Sequence, residues 1–130
     1  MSMDGQGRGE SPRTPLAAAG KRVLFTVDGC IDAFVDDVIA CGASGFTTEP
    51  FTDFKAIARR HENCYIAGEG DNRILPRNRP DEIRVMVKSM VETAKMSGGY
   101  AMCIGNHIPF NVPPAAVKLY FDLSAELGYR

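Results

Sequence analysis

The chain has 130 residues, which is enough for one ordinary domain with a hydrophobic core. Its apolar (45%) and charged (24%) fractions are typical of a globular protein, and a net charge of -1 gives no electrostatic reason to expect binding to nucleic acid or to an anionic membrane. The sequence contains neither an apolar run long enough to span a bilayer nor a signal-peptide pattern, which together predict a cytoplasmic protein.

Residues 1–15 are rich in glycine, serine, proline and arginine and show no hydrophobic periodicity. This composition predicts a disordered leader, and residues 16–130 are expected to form one domain. From residue 22 onward, short β-rich runs bounded by turn residues alternate with amphipathic helical patterns. The predicted strands cover residues 22–27, 45–48, 64–67 and 100–104.

Each predicted strand is followed by apolar residues at helical spacing. Thr52 is placed to cap the second helix, and Pro80 with the acidic pair after it predicts the start of the third. The residues expected to face the core are Ile31, Phe34, Val35, Val38 and Ile39 in the first helix, Phe54, Ile57 and Ala58 in the second, Ile83, Val87, Met90, Val91 and Ala94 in the third, and Ala116, Val117, Tyr120, Leu123 and Leu127 in the fourth.

Four consecutive strand–helix units imply parallel strands joined by right-handed crossovers, and therefore an α/β fold. Four such units make half of an eight-stranded (β/α)8 TIM barrel, which usually needs roughly 250 residues. A free-standing four-stranded parallel sheet is the alternative arrangement.

Ionisable residues follow every predicted strand at its carboxyl end: Asp28, Glu49, Glu69 with Asp71, and His107. In a parallel sheet or barrel these ends lie at one rim, where binding and catalysis occur. The set therefore predicts a site, although acidic residues at such turns also cap the helix that follows. A ligand contact, a general acid and a loop residue bonded to backbone all remain open for His107. His61, at the end of a predicted helix, is expected to be solvated.

The four cysteines show no C-x-x-C pair and no zinc-finger spacing. Each lies in or beside an apolar segment, which predicts small buried thiols in a reducing compartment. We expect no structural metal, because the candidate ligands lack the close spacing of a preformed metal site. The cysteines are Cys30, Cys41, Cys64 and Cys103.

Four segments occur in an order and at a spacing that point to one family: VLFTVDGCIDAFVDDVIACGASGF, TEPFTDF, CYIAGEGDNRIL and GGYAMCIGNHIPFNVPPAAV. With these segments the chain, from about Leu16 to Arg130, resembles the carboxyl-terminal half of the uroporphyrinogen decarboxylase family. The four β/α units accordingly resemble the carboxyl-terminal half of a (β/α)8 barrel. The first fifteen residues match nothing in that family.

The resemblance implies a cofactor-free carboxy-lyase of porphyrin biosynthesis, which removes acetate carboxyl groups from a tetrapyrrole. His107 falls on the family's late histidine, beside the substrate in the barrel mouth, and residues 68–71 fall on its Gly-Asn-x-Asp turn, with Glu69 replacing asparagine. The substrate-binding candidates are His107, Asp28, Glu49 and Asp71. The family's essential aspartate and propionate-binding arginines belong to the amino-terminal half, so the catalytic residues stay unassigned and the chain is expected to be a fragment lacking that half.

Two alternatives remain open. A cobamide-dependent methyltransferase branch of the superfamily holds zinc through a His-x-Cys pair, which falls on Thr26 and Asp28 here, and one thiolate at Cys103 cannot hold zinc alone. The other alternative is a non-catalytic half-barrel, completed as a homodimer or by a separate amino-terminal half.

Overall fold

The structure, a computed structural model, describes residues 14–128. Most of the predicted leader, residues 1–13, lies outside the described residues, whereas Thr14 caps the first helix and Pro15 begins it. The elements in chain order are α1 (Pro15–Ala18), β1 (Leu24–Thr26), α2 (Val35–Ala40), β2 (Gly45–Thr47), α3 (Phe54–Arg60), β3 (Tyr65–Ala67), a 3-10 turn (Leu75–Arg77), α4 (Pro80–Met96), β4 (Gly99–Ala101) and α5 (Pro114–Leu127).

The four strands form one all-parallel sheet in the order β1-β2-β3-β4. This confirms the predicted α/β fold, with every strand beside its sequence neighbour, as in consecutive units of a TIM barrel. Each strand has only three residues, so the predicted strands of four to six residues were too long. No helix within residues 14–128 has the length and apolar character required to cross a membrane.

One face of the sheet packs against the helices. Phe25, Phe46, Ile66 and Tyr100 are partners in register and share this face, and Phe46 and Ile66 are fully buried. The core consists of two hydrophobic clusters: the first packs α2 and α3 against this face of the sheet, and the second joins α4 to α5. The first cluster comprises Ile31, Val35, Phe46, Phe54, Ile57, Ala58, Cys64 and Ile66, and the second comprises Leu75, Ile83, Met86, Val87, Met90, Ile104, Val112, Ala116, Tyr120 and Leu123.

The opposite face of the sheet carries Leu24, Gly45, Tyr65 and Gly99 in one register row. A Cβ atom on Gly45 would lie 2.2 Å from the Tyr65 carbonyl oxygen, and one on Gly99 would lie 2.7 Å from the Tyr65 ring. The two glycines therefore make room for Tyr65, whose side chain stands on the face without helices.

Tertiary packing corrects three predicted helix details. Asp53, not Thr52, caps α3, because its side chain accepts a hydrogen bond from the Ala56 N–H. Phe34 is exposed, because α2 begins only after it. In α4 the buried set is Ile83, Met86, Val87, Met90 and Thr93, whereas Val91 and Ala94 are half-buried.

The expectation that all four cysteines are buried was wrong. Cys64 is buried, and burial raises the pKa of its thiol to about 11. Cys41 and Cys103 are half-buried, and Cys30 is exposed because it lies in the turn after β1, at the edge of the sheet. All four are free thiols.

Candidate functional site at the carboxyl ends of the strands

Glu49 joins three of the four strand-end loops. One carboxylate oxygen accepts the Gly29 N–H at 2.6 Å, and the other accepts the Asn106 side-chain N–H at 3.0 Å. Glu49 follows β2, while Gly29 follows β1 and Asn106 follows β4. The predicted meeting of the strand ends at one rim is therefore observed, with Glu49 between the loops.

These hydrogen bonds also set the protonation state of Glu49. The bond from Asn106, together with the one from the Gly29 backbone, holds the pKa of the carboxyl group below its ordinary value of 4.5. A carboxylate with a lower pKa in the folded state stabilises the fold above the unfolded pKa, and this contribution is lost as the pH falls through the folded pKa. At neutral pH Glu49 is an anion that only accepts hydrogen bonds.

Replacing Asn106 by alanine is expected to raise the pKa of Glu49 towards 4.5, because its strongest hydrogen bond is lost. Carboxyl-detected NMR titration of the Glu49 side chain measures this change. Asn111→Ala, at an exposed position after the same strand, is the matched control and should leave the pKa unchanged. An unmoved Glu49 pKa in Asn106→Ala would contradict this account of the rim.

Two buried threonines hold the loop after β1. The hydroxyl groups of Thr48 and Thr52 donate to the Gly29 carbonyl oxygen at 3.0 and 3.4 Å, and the Thr52 oxygen accepts the Ile31 N–H at 3.1 Å. Sequence reasoning treated Thr52 as a helix cap and did not use Thr48. The segment that directly follows β2, TEPFT, contains both threonines and was the available signal for them.

The loops after β3 and β4 are tied together by backbone contacts. The Gly70 N–H donates to the Cys103 carbonyl at 3.1 Å, and the Gly105 N–H donates to the Gly70 carbonyl at 2.9 Å. The Asn72 side chain donates to the His107 carbonyl at 2.6 Å. These contacts fix the backbone that carries His107 relative to the third strand end.

His107 has a fixed backbone and an exposed ring. Its N–H donates to the Asn106 side-chain oxygen at 2.8 Å, and its carbonyl is held by Asn72. Among residues 14–128 the imidazole forms no hydrogen bond or ion pair, so both ring nitrogens face solvent at the rim. Such a ring is available to a ligand.

The other two rim carboxylates differ in their surroundings. Asp28 is exposed, and its side chain forms no hydrogen bond or ion pair within the described part of the chain. The Asp71 carboxylate accepts hydrogen bonds from Nε and Nη2 of the Arg73 guanidinium at 2.7 to 3.1 Å, and this contact holds the pKa of Asp71 below its usual range. Arg73 also lies over the Phe51 ring, 4.7 Å from its centre. The charge of Asp71 is therefore balanced by Arg73, whereas the exposed Asp28 carboxylate has no such partner among the described residues.

The expectation that Glu69 lies at the rim was wrong. Its carboxylate lies on the side of the sheet that faces the helices. There it accepts hydrogen bonds from the Tyr100 hydroxyl at 2.7 Å and from the Thr93 hydroxyl at 2.8 Å, and the Lys55 ammonium is 3.8 Å away. Gly68, with φ of +94°, ends the strand alternation just before Glu69 and directs it towards the helices. Burial and the Glu69 charge raise the pKa of Tyr100 well above its usual range.

His61 lies at the end of α3, where it was predicted, but it is not simply solvated. Its ring nitrogen lies 2.7 Å from the Asp36 carboxylate, and this hydrogen bond holds the pKa of Asp36 below its usual value. His61 is at the end of the sheet where the strands begin, away from the rim. The two histidines of the chain therefore occupy opposite ends of the molecule.

The zinc site of the methyltransferase branch does not fit these residues. The family resemblance places the His-x-Cys pair of that branch on Thr26 and Asp28, and neither residue is a histidine or a cysteine. The Cys103 thiol donates to the Ile104 carbonyl at 3.1 Å, and burial raises its pKa, which keeps it protonated at neutral pH. The described residues contain no group of three His, Cys, Asp or Glu side chains that could hold a metal ion.

A comparison with known protein families identifies the family of this chain. The uroporphyrinogen decarboxylase (URO-D) family matches residues 14–127, which is most of the chain and includes all four strand–helix units. No curated protein matches the sequence significantly. The chain therefore belongs to the uroporphyrinogen decarboxylase family.

Proposed function

We propose that the strand-end rim binds a tetrapyrrole polycarboxylate, and that the chain contributes this binding surface to a uroporphyrinogen decarboxylase-type carboxy-lyase in the cytoplasm. The observation that carries the proposal is the exposed His107 ring, held on a fixed backbone at the same rim as Asp28 and Glu49. Membership of the family supports the class of ligand.

The chemistry of the rim suits both kinds of polar group on a tetrapyrrole. Pyrrole N–H groups are donors, and the carboxylates of Asp28 and Glu49 are acceptors. The substrate's own carboxylates are acceptors, and a protonated His107 donates to them in a charge-assisted hydrogen bond. Asp71 acts indirectly in this proposal, because it holds Arg73 in place at the rim.

Decarboxylation itself would need groups that this surface does not supply. The family resemblance assigns the essential aspartate to the amino-terminal half of the barrel, so none of residues 14–128 corresponds to it. We therefore expect the chain alone to bind the ligand without turnover, with activity requiring a second half-barrel. The chain would then be a carboxyl-terminal fragment of the complete catalytic unit.

Replacing His107 by alanine is expected to weaken binding of a fluorescent tetracarboxylate porphyrin by about tenfold, the cost of one charge-assisted hydrogen bond. Fluorescence titration of the purified chain gives the dissociation constant. His61→Ala is the matched control, because it removes the other histidine, which faces Asp36 at the opposite end. Equal affinities for His107→Ala and the unmodified chain would remove the support for this proposal.

A second candidate function is that of a non-catalytic half-barrel whose role is association with another chain. The uncovered strand β1 favours it, since both Leu24 and Phe25 on that strand are exposed. A cobamide-dependent methyltransferase function is not proposed, because the residues present do not fit its zinc site.

A further inference from the structure

Within residues 14–128, strand β1 carries apolar side chains that are exposed on both of its faces. Phe25 is 37% exposed, whereas its register partner Phe46 is fully buried under the helices. On the other face Leu24 is 47% exposed. Parallel sheets are normally covered on both faces, so an uncovered apolar edge strand indicates a missing partner surface.

The space beside β1 is a groove with apolar walls. It has a volume of about 530 Å³ and is lined by Val23, Phe25 and Val27 of the strand region and by Val38 of α2. Phe46 of the next strand is covered by α3, but within the described residues only the four-residue α1 precedes β1. The groove therefore lies where the helix of a preceding unit would pack.

The opposite edge of the sheet carries the complementary element. Strand β4 has an unpaired edge in the described structure, and α5, the helix after it, exposes 58% of Phe121. In a closed β/α ring, each helix packs near the strand that begins the next unit. One edge thus lacks a covering helix, while the other has a helix with uncovered apolar surface.

We propose that a second copy of this chain closes the sheet, with β1 of each copy beside β4 of the other in a ring of eight parallel strands. The two free edges have the same polarity, so one twofold rotation satisfies both at once. An antiparallel pair formed through β1 alone would leave both β4 edges open.

The charges along the two edges also match. Lys21 and Arg22 lie at the start of β1, and Asp28 lies just after its end. Helix α5 runs back alongside the strands, so Lys118 near its start is level with the strand ends and Glu126 near its end is level with the strand starts. Pairing of the two edges therefore places Glu126 beside Lys21 and Arg22 at the strand starts, whereas at the strand ends Lys118 already forms an ion pair with Asp122 within α5.

The mass of the full chain in solution, measured by light scattering after size exclusion, tests the ring. We expect about twice the 14.1 kDa of one chain. Phe25→Glu and Phe121→Glu should each weaken self-association at least about tenfold, because each puts a charge into both junctions. Val85→Glu is the matched control, since Val85 is 68% exposed in the middle of α4, away from both edges. A 14.1 kDa species, or a series of open-ended oligomers, would overturn the proposal.

Mixing the two variants separates the ring from other dimers. A mixed pair of Phe25→Glu and Phe121→Glu chains has one unmodified junction, so it should associate more strongly than either variant alone. If the chains paired through β1 only, Phe121→Glu would leave self-association unchanged and mixing would not strengthen it beyond that of the Phe121→Glu chain, which would overturn the ring.

Hydrogen exchange of the β1 amides in the unmodified chain is a second measurement, and it does not depend on the folding of any variant. Exchange should accelerate on dilution, and an exchange rate that does not depend on protein concentration would contradict the ring.

Discussion

Replacing Gly68 by alanine is expected to destabilise the chain by about 2–4 kcal/mol, one of the largest effects of any single methyl group in this fold. Gly68 has φ of +94°, a conformation that side chains rarely adopt, and a Cβ atom there would lie 2.2 Å from the Thr48 carbonyl oxygen. Since that oxygen belongs to the backbone of the neighbouring loop, the collision cannot be relieved by a rotamer change. Urea unfolding at neutral pH measures the loss.

Gly29→Ala separates the two causes of this destabilisation. Gly29 also has a positive φ, +83°, but nothing lies within 4 Å of a Cβ atom built on it. We expect this variant to lose only about 1 kcal/mol, the cost of the backbone conformation alone. Equal losses for the two variants would show that the close approach of Gly68 to Thr48 does not contribute.

Removing the carboxylate of Glu69 is expected to cost about 3 kcal/mol, because the Tyr100 hydroxyl loses its acceptor and the Lys55 ammonium loses its ion pair. In Glu69→Leu the Tyr100 hydroxyl loses the acceptor of its hydrogen bond, the Thr93 hydroxyl can donate only to the Ser89 carbonyl oxygen at 3.2 Å, and the Lys55 ammonium loses its neighbouring charge. Chemical denaturation gives the free energy of unfolding. Glu62→Leu, at an exposed position, is the matched control and should change stability by less than about 0.5 kcal/mol.

A double-mutant cycle tests whether the Glu69 effect arises from the hydrogen bond to Tyr100. Tyr100→Phe alone should cost about 2 kcal/mol, the value of a hydrogen bond to a charged group. In the double variant Glu69→Leu with Tyr100→Phe, the unpaired hydroxyl is gone, so the total loss should be smaller than the sum by about 1 kcal/mol or more. Strictly additive losses would mean that the two side chains are not coupled.

Much of the fold could be predicted from local signals. Helices α4 and α5 begin at Pro80 and Pro114, where proline at the first helical position needs no N–H partner. The β-rich runs predicted where the four strands of the described part of the chain lie, although each strand is shorter than expected and β4 begins at Gly99, one residue before the predicted run. These features depend on residues close in sequence, so reading the sequence recovers them.

The rim could be predicted in part, and the reason differs from residue to residue. Parallel strands bring their carboxyl ends to one edge, which is why Asp28, Glu49, Asp71 and His107 lie at the same rim. Glu69 was expected to join them because it follows the third predicted strand, but its side chain would face the rim only if the backbone stayed regular up to that residue. The positive φ at Gly68 removes that regularity.

Four β/α units and their order could be predicted from the amino-acid sequence, because alternating β-rich and amphipathic segments are local patterns, and four short segments carried the resemblance to the family. The contacts between polar groups became visible only in the folded chain: Glu49 lies between Gly29 and Asn106, and Glu69 accepts a hydrogen bond from Tyr100. The two residues of each of these hydrogen-bonded pairs are separated by 20 to 57 positions along the chain. Contacts of this kind depend on how distant segments pack, and hydrophobic periodicity carries no information about them.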